Sequence, residues 1–246
     1  MYNVIGVIPA RYASTRLPYK LTKNILGKPL LQWTWQSACS AHSLDKILIA
    51  CDDSSLKEMA EGFGAEAVLT SSDHTSGTDR VAEAVSEIDA RVVINIQADE
   101  PLIHPSVINT LAEEMLADSK LMMGTARKKI VEEDEINNPN VVKVVTDKDG
   151  YALYFSRFPI PYHREEVAQK QYDKHLGIYA YTKDFLYEFK NLPPSYLERA
   201  EKLEQLRALE AGYKIKVIES QFDSWGVDTE EDLKHVEKIL SERGCA

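Results

Sequence analysis

No stretch of this chain approaches the roughly 18 to 20 apolar residues that a membrane helix needs, and its start lacks the basic-then-apolar order of a secretory leader. A cytoplasmic protein is expected. Cysteine is scarce: Cys39, Cys51 and Cys245 form an odd set without a CxxC pair, and no Cys or His has the spacing of a structural zinc site. Free thiols in a reducing compartment are the expectation. Positive charge is short as well, 29 Lys and Arg against 39 Asp and Glu, and a net −10 disfavours an extended phosphate backbone as partner. Internal repeats and low-complexity tracts are missing too, so nothing divides the 246 residues into separate domains.

What is present is an alternation of strand-like and helix-like segments. Tyr2 to Ile8, Lys46 to Cys51, Ala65 to Thr70 and Arg91 to Gln97 read as buried strands; Ser54 to Phe63 and Asp79 to Ile88 read as helices. Pro29 and Pro105 stand where a first helical turn would begin. The βαβα order up to about residue 120 predicts a doubly wound, largely parallel sheet. After Met122 the texture changes. Met123 to Ile130, Val141 to Asp147, Tyr151 to Arg157 and Lys174 to Tyr181 are strand-like pieces with short polar connections, which predicts an antiparallel sub-domain over about 123–181. Leu197 to Gly212 reads as one helix, Lys214 to Ser220 as a strand, and Thr229 to Glu242 as a closing helix with Asp232 three residues after Thr229 in a capping arrangement.

Chemistry concentrates beyond the first strand. Ile8 to Lys20 contains no glycine but holds Arg11, Arg16 and Lys20, with Ser14 and Thr15 between them. A cationic loop in an acidic protein suits a small anionic ligand, and open α/β sheets bind ligands past the carboxyl ends of their strands. Asp99 follows another such strand in Gln97-Ala98-Asp99-Glu100-Pro101, and Asp228 precedes the last helix. Two aspartates so placed could hold Mg²⁺ with phosphate oxygens, or could merely cap a turn and a helix. From spacing alone, Glu204 belongs to a solvated charge lattice with Glu201, Lys202 and Arg207, and His175 is an ordinary structural histidine.

Seven collinear blocks carry a resemblance spanning almost the whole chain: IPARYASTRLPYK (8–20), LTSSDHTSGTDR (69–80), INIQADEP (94–101), VVKVVTDKDGYALYFSRFPIP (141–161), KHLGIYAYTKDF (174–185), KLEQLRALEAGYKIKV (202–217) and GVDTEEDL (226–233). Together they resemble the 3-deoxy-manno-octulosonate (Kdo) cytidylyltransferases. That resemblance implies a three-layer α/β/α sandwich with a mainly parallel mixed sheet plus an antiparallel insertion that forms a homodimer. It implies CMP transfer from CTP to Kdo, with pyrophosphate released, for lipopolysaccharide assembly. It places Arg11, Ser14, Arg16 and Lys20 around the nucleotide's triphosphate and His74, Ser76, Gly77 and Arg80 at its base and ribose, with Pro9 and Ala10 also binding the nucleotide. Asp99 and Asp228 match Mg²⁺ ligands, and Gln97, Arg157, Arg164, His175, Tyr179, Glu204 and Gln205 match the sugar site. Lys20, Asp99 and Asp228 are the candidate catalytic set. The chain departs from the family pattern at Tyr19 and Leu21, where Gly and Pro are usual, and at Ala98, where Gly is usual. The alternatives are transfer to a related acid sugar, such as 8-amino-Kdo or a sialic acid, and a non-catalytic nucleotide-sugar binder.

Overall fold

The computed structural model describes residues 1–13, 17–165 and 170–243. Its first half runs β1 (Tyr2–Ala10), a short hairpin of β2 (Asn24–Ile25) and β3 (Lys28–Pro29), α1 (Leu30–Cys39), β4 (Lys46–Cys51), α2 (Ser54–Gly62), β5 (Ala67–Leu69), α3 (Gly77–Ala84), β6 (Ala90–Asn95) and α4 (Pro105–Ala117). The second half runs β7 (Met123–Lys129), α5 (Glu133–Asn137), β8 (Lys143–Thr146), β9 (Ala152–Ser156), β10 (Asp173–Thr182), α6 (Lys183–Asn191), α7 (Tyr196–Glu201), α8 (Leu206–Glu210), β11 (Ile215–Glu219) and α9 (Glu230–Glu242).

Strand β1 is central because both its faces are apolar. Val4 and Ile8 join one buried cluster, with side chains of α1, α2, α4 and α9; Ile5 and Val7 join the other, with α3, α6 and α8. That two-residue alternation makes the sheet the middle of three layers. The sheet order is β11-β7-β10-β6-β1-β4-β5. Pairings among β6, β1, β4 and β5 are parallel, as is β11 with β7; β10 alone on this path runs the other way. The predicted mixed, mainly parallel sandwich is therefore present. Within 123–181, β7 and β10 lie inside the main sheet, and β8 and β9 extend it as an antiparallel pair attached to β10.

Local chemistry explains most helix starts. Asp53 caps α2 by accepting from Ser55 N–H, Ser76 caps α3, and Pro105 opens α4. Helix α3 accordingly begins two residues earlier than expected and ends at Ala84. Pro29 instead closes β3 and stands just outside α1. Thr229 and Asp232 form the full reciprocal capping box of α9.

The expected single helix over 197–212 is two. A capping box between Ser195 and Glu198 starts α7, and Lys202 ends it in the left-handed region at φ 55°. The break turns Leu203 inward, where it is buried together with Leu206. One straight helix would have lost that packing, so burial overrides the good helix propensity of the segment.

Candidate active site

Three segments meet at the carboxyl ends of β1 and β6. The residues after β1 lead to a single 3₁₀ turn at Lys20–Thr22; the loop after β6 carries Gln97 and Asp99; a strap after β11 carries Asp228. Backbone pairing fixes the strap against the loop, since Val227 N–H donates to the Asp99 carbonyl at 2.9 Å. The Lys20 ammonium lies between the acids, 2.5 Å from Asp99 Oδ2 and 3.0 Å from Asp228 Oδ1. Burial alone would lower the pKa of Lys20, but the two carboxylates outweigh it and the net direction is upward. All three side chains, with Pro9, Arg11, Gln97 and Ala98, line a cleft of about 310 Å³.

Asp99 and Asp228 thus aim oxygens at a common cation. Among the described residues no group of three or more His, Cys, Asp or Glu gathers as a metal cage. Mg²⁺ needs none, because it is commonly held by one or two carboxylates plus substrate phosphates and water. The all-oxygen pair fits that ion.

The candidate nucleotide residues fall into two groups. Pro9, Arg11 and Lys20 line the cleft, and Arg11 donates to the His74 carbonyl at 2.9 Å, closing the loop against the segment before α3. Ala10 is wholly buried at the end of β1. Gly77 opens α3 against Pro9, where a Cβ would lie 3.4 Å from Pro9 Cγ, an ordinary contact distance. The His74 imidazole contacts the Glu83 carboxylate. Arg80 is 1 % exposed and serves the interior: it donates to Thr70 Oγ1 at 2.5 Å and to the Ser71 carbonyl at 3.2 Å, and Asp52 lies 3.7 Å away. Its other terminal nitrogen has no hydrogen-bond partner. Ser14 and Arg16 lie outside the described residues, as does Cys245.

The candidate sugar residues are also divided. Glu204, freed by the break after α7, accepts from Thr78 Oγ1 at 2.6 Å, and burial raises its pKa. Gln205 is 3 % exposed and its Nε2 has no partner. Tyr179 opposes Asn95 across β10 and β6, and its ring is 5.3 Å from that of His175. His175 Nε2 is 2.9 Å from Thr125 Oγ1, which in turn lies 2.7 Å from the Ile178 carbonyl and 3.3 Å from that of Leu176. Burial drives the pKa of His175 down to about 3. Gln97 reaches Asn95 at 3.3 Å and lines the cleft. Arg157 is spent on backbone, donating to the carbonyls of Glu201, Pro139 and Lys202, while Arg164 is exposed and joins none of these contacts.

Glu100 and Arg207 were not among the residues predicted from sequence. Glu100 accepts from Ser224 Oγ at 2.7 Å and from Gly177 N–H. Arg207 forks onto Glu198 at 2.8 and 2.5 Å and lies 3.9 Å from Glu204. The only sequence signal for Glu100 was its place beside Asp99; the spacing marked Arg207 only as a member of the charge lattice around Glu204.

Comparison with known proteins gives the family of the chain. A family model described as cytidylyltransferase matches residues 5–215. A protein of Solibacter usitatus named 3-deoxy-manno-octulosonate cytidylyltransferase is 48 % identical over 238 residues, covering 97 % of this chain and 94 % of that one. The chain belongs to the 3-deoxy-manno-octulosonate cytidylyltransferase family. Another member, from Chloroherpeton thalassium, is also 48 % identical, over 98 % of this chain and 99 % of its own. Among solved structures, a CMP:2-keto-3-deoxy-manno-octonic acid synthetase complexed with CTP superposes with a TM-score of 0.93 at 40 % identity, covering 98 % of this chain and 99 % of that one. A Leptospira borgpetersenii cytidylyltransferase at 15 % identity and TM-score 0.64 shares the fold alone.

Proposed function

We propose that this cytidylyltransferase couples CTP to the anomeric hydroxyl of Kdo, releasing pyrophosphate and giving CMP-Kdo for lipopolysaccharide biosynthesis. The observation that carries the reading is Lys20 held between Asp99 and Asp228 at the mouth of the cleft, in a chain that matches the family over almost its full length. The sugar hydroxyl oxygen forms a bond to the α-phosphorus of CTP and gives up its proton to solvent, as the bond from that phosphorus to the pyrophosphate oxygen breaks. Such an in-line displacement needs positioning and charge neutralisation more than covalent catalysis.

Arg11 and Lys20 would supply cations to the triphosphate, and Lys20 can follow the charge that develops on the leaving pyrophosphate. Glu204 and Gln205 would take sugar hydroxyls, Glu204 as acceptor and the partnerless Gln205 amide as donor. With every donor of Arg157 that reaches Glu201, Pro139 and Lys202 occupied, its role would be to hold the end of α7. A Mg²⁺ ion bound by Asp99 and Asp228 would neutralise phosphate charge and lower the pKa of the attacking hydroxyl.

A homodimer is also proposed, supported by Leu153, Phe158 and Tyr162, which are 61, 75 and 83 % exposed on β9 and the segment after it. The site of action is proposed to be cytoplasmic, where CTP is made available; no described helix is long and apolar enough to cross a membrane. Pyrophosphate release is the test, with CTP, ATP, GTP and UTP against Kdo, 8-amino-Kdo and a sialic acid. Selective release with CTP and Kdo, abolished by EDTA and restored by Mg²⁺, is expected. Preference for another acid sugar would move the assignment to that substrate, and CTP binding without release from any sugar would overturn transfer.

A further inference from the structure

Glu100 stands where the three segments that bear site residues come together. Its own loop carries Gln97 and Asp99. Its Oε2 accepts from Ser224 Oγ at 2.7 Å, on the strap that four residues later presents Asp228. Its carboxylate also accepts from the backbone N–H of Gly177, in the irregular part of β10 between Leu176 and Tyr179, which separates His175 from Tyr179.

The fit around Gly177 is tight. A Cβ on residue 177 would lie 2.6 Å from Glu100 Oε1 and 3.5 Å from Gln97 Cγ, so only glycine admits the carboxylate at this depth. Gly177 has no positive φ, and its requirement is the close approach itself. The strap has further anchors on both sides of Ser224. Phe222 stacks on His104 with ring centres 3.5 Å apart, and Asp223 pairs with the nearly buried Lys174 at 2.8 Å. Those anchors hold the strap to α4 and β10, whereas Glu100 ties it to the loop of Asp99.

We propose that Glu100 is a positioning residue for the transfer reaction, its carboxylate joining Ser224 and Gly177 so that Asp99, Asp228 and the β10 wall keep one relative placement. The inference rests on the cytidylyltransferase reading. The joint requires two donors to meet one side chain. Glutamine can serve the same geometry, because its carbonyl oxygen accepts from Gly177 N–H while its amide donates to the Ser224 hydroxyl, which turns to accept. Alanine can serve neither donor.

Three variants of the full chain test this, with Mn²⁺ affinity measured by electron paramagnetic resonance in the presence of CTP alongside steady-state kinetics and melting temperature. Glu100→Ala should lower Mn²⁺ affinity and kcat together by roughly 10- to 100-fold, the usual loss when a group supporting a metal ligand is removed. The KM for CTP should stay within about threefold, because Glu100 does not line the nucleotide cleft. Glu100→Gln should restore both quantities to within about threefold of wild type, which a role for the negative charge itself would not allow. Gly177→Ala should reproduce the Glu100→Ala losses, and the double variant should be no worse than either single one, since both break the same joint.

Unchanged Mn²⁺ affinity and kcat in Glu100→Ala would overturn the proposal, as would additive losses in the double variant or losses that merely follow the melting temperature. A wild-type protein that binds Mn²⁺ but does not turn over CTP with any acid sugar would refute the transfer reading, while the Mn²⁺ comparison among variants would still decide the joint. Absence of Mn²⁺ binding by the wild type would remove what Glu100 is held to position.

Discussion

Replacing Glu198 by glutamine perturbs the support of Glu204 without touching Glu204 itself. Glu198 accepts from Arg207 Nε and a terminal nitrogen at 2.8 and 2.5 Å, and from Ser195 N–H at 3.1 Å. The two side chains are 16 and 13 % exposed. Breaking a fully buried pair costs about 3 to 5 kcal/mol, and an exposed pair is worth less than about 1. Glutamine keeps the Ser195 contact, and Glu204 at 3.9 Å can partly replace the lost partner, so about 2 kcal/mol is the expected cost. In a chain of this size that is a fall in melting temperature of about 4 to 8 °C at pH 7.

The sign with pH is fixed by the direction of the shift. Burial raises the pKa of Glu198, but its bonds to Arg207 and Ser195 outweigh burial and the net shift is downward. A lowered carboxyl contributes its full stability above its ordinary value of 4.5 and loses it as pH falls through the folded-state value. Circular dichroism melts of both proteins should therefore show the gap whole at pH 7 and narrowing below about pH 4.5. Arg207, released, turns toward Glu204 and competes with Thr78 for it, so the KM for the sugar should rise severalfold while that for CTP holds. A gap below about 1 °C at pH 7, or one that persists unchanged into acid, would refute the reasoning.

Asp99→Asn removes the charge nearest Lys20 and should lower kcat roughly 10²- to 10³-fold, with the melting temperature little changed; near-normal turnover in a pyrophosphate assay would refute the role of Asp99. His175, neutral in the fold with a pKa of about 3, is protonated on unfolding below its ordinary 6.5. Stability should thus fall as pH drops from 6.5 toward 3, by up to about 1.4 kcal/mol per pH unit from this group. His175→Asn should flatten that limb in urea titrations at pH 7 and 5, and equal slopes for the two proteins would sink the assignment.

The parts of the fold legible in the sequence were those dictated locally. The apolar run of β1, the alternation through α4 and the Thr229–Asp232 cap each follow from neighbouring residues, and Asp99 and Asp228 were placed because strand ends and helix starts were. The pairing of β10 with β6 was hidden, because partners more than 80 residues apart leave no local mark. So was the turn at Lys202: Leu197 to Ala211 contains neither Gly nor Pro, and only the demand to bury Leu203 bends it. Arg80 and Arg157 were given as ligand residues by the family resemblance, and no local signal showed that Arg80 would also donate to Thr70 and Ser71, or Arg157 to three backbone carbonyls.

Tyr19 shows how a departure from the family pattern can be accommodated. It adopts φ 55°, the left-handed conformation for which glycine is suited, immediately before Lys20. The strain of about 1 to 2 kcal/mol is offset in part by a tilted ring contact with Tyr12, centroids 4.9 Å apart, worth about 0.5 to 1.5 kcal/mol beyond its buried area. Tyr12 is itself held by its N–H on Asp52 at 2.8 Å, so the ring that steadies Tyr19 is anchored to the segment after β4. Tyr19→Gly relieves the strain but loses the contact and frees the unfolded chain. Stability should therefore stay within about 1 kcal/mol of wild type. The turn that presents Lys20 would be looser, and the KM for CTP should rise severalfold. Tyr12→Ala should give the same rise with the strain retained, and hence a lower melting temperature than Tyr19→Gly. A KM for CTP unchanged in both variants would show that the turn is held by the Lys20 ion pairs alone.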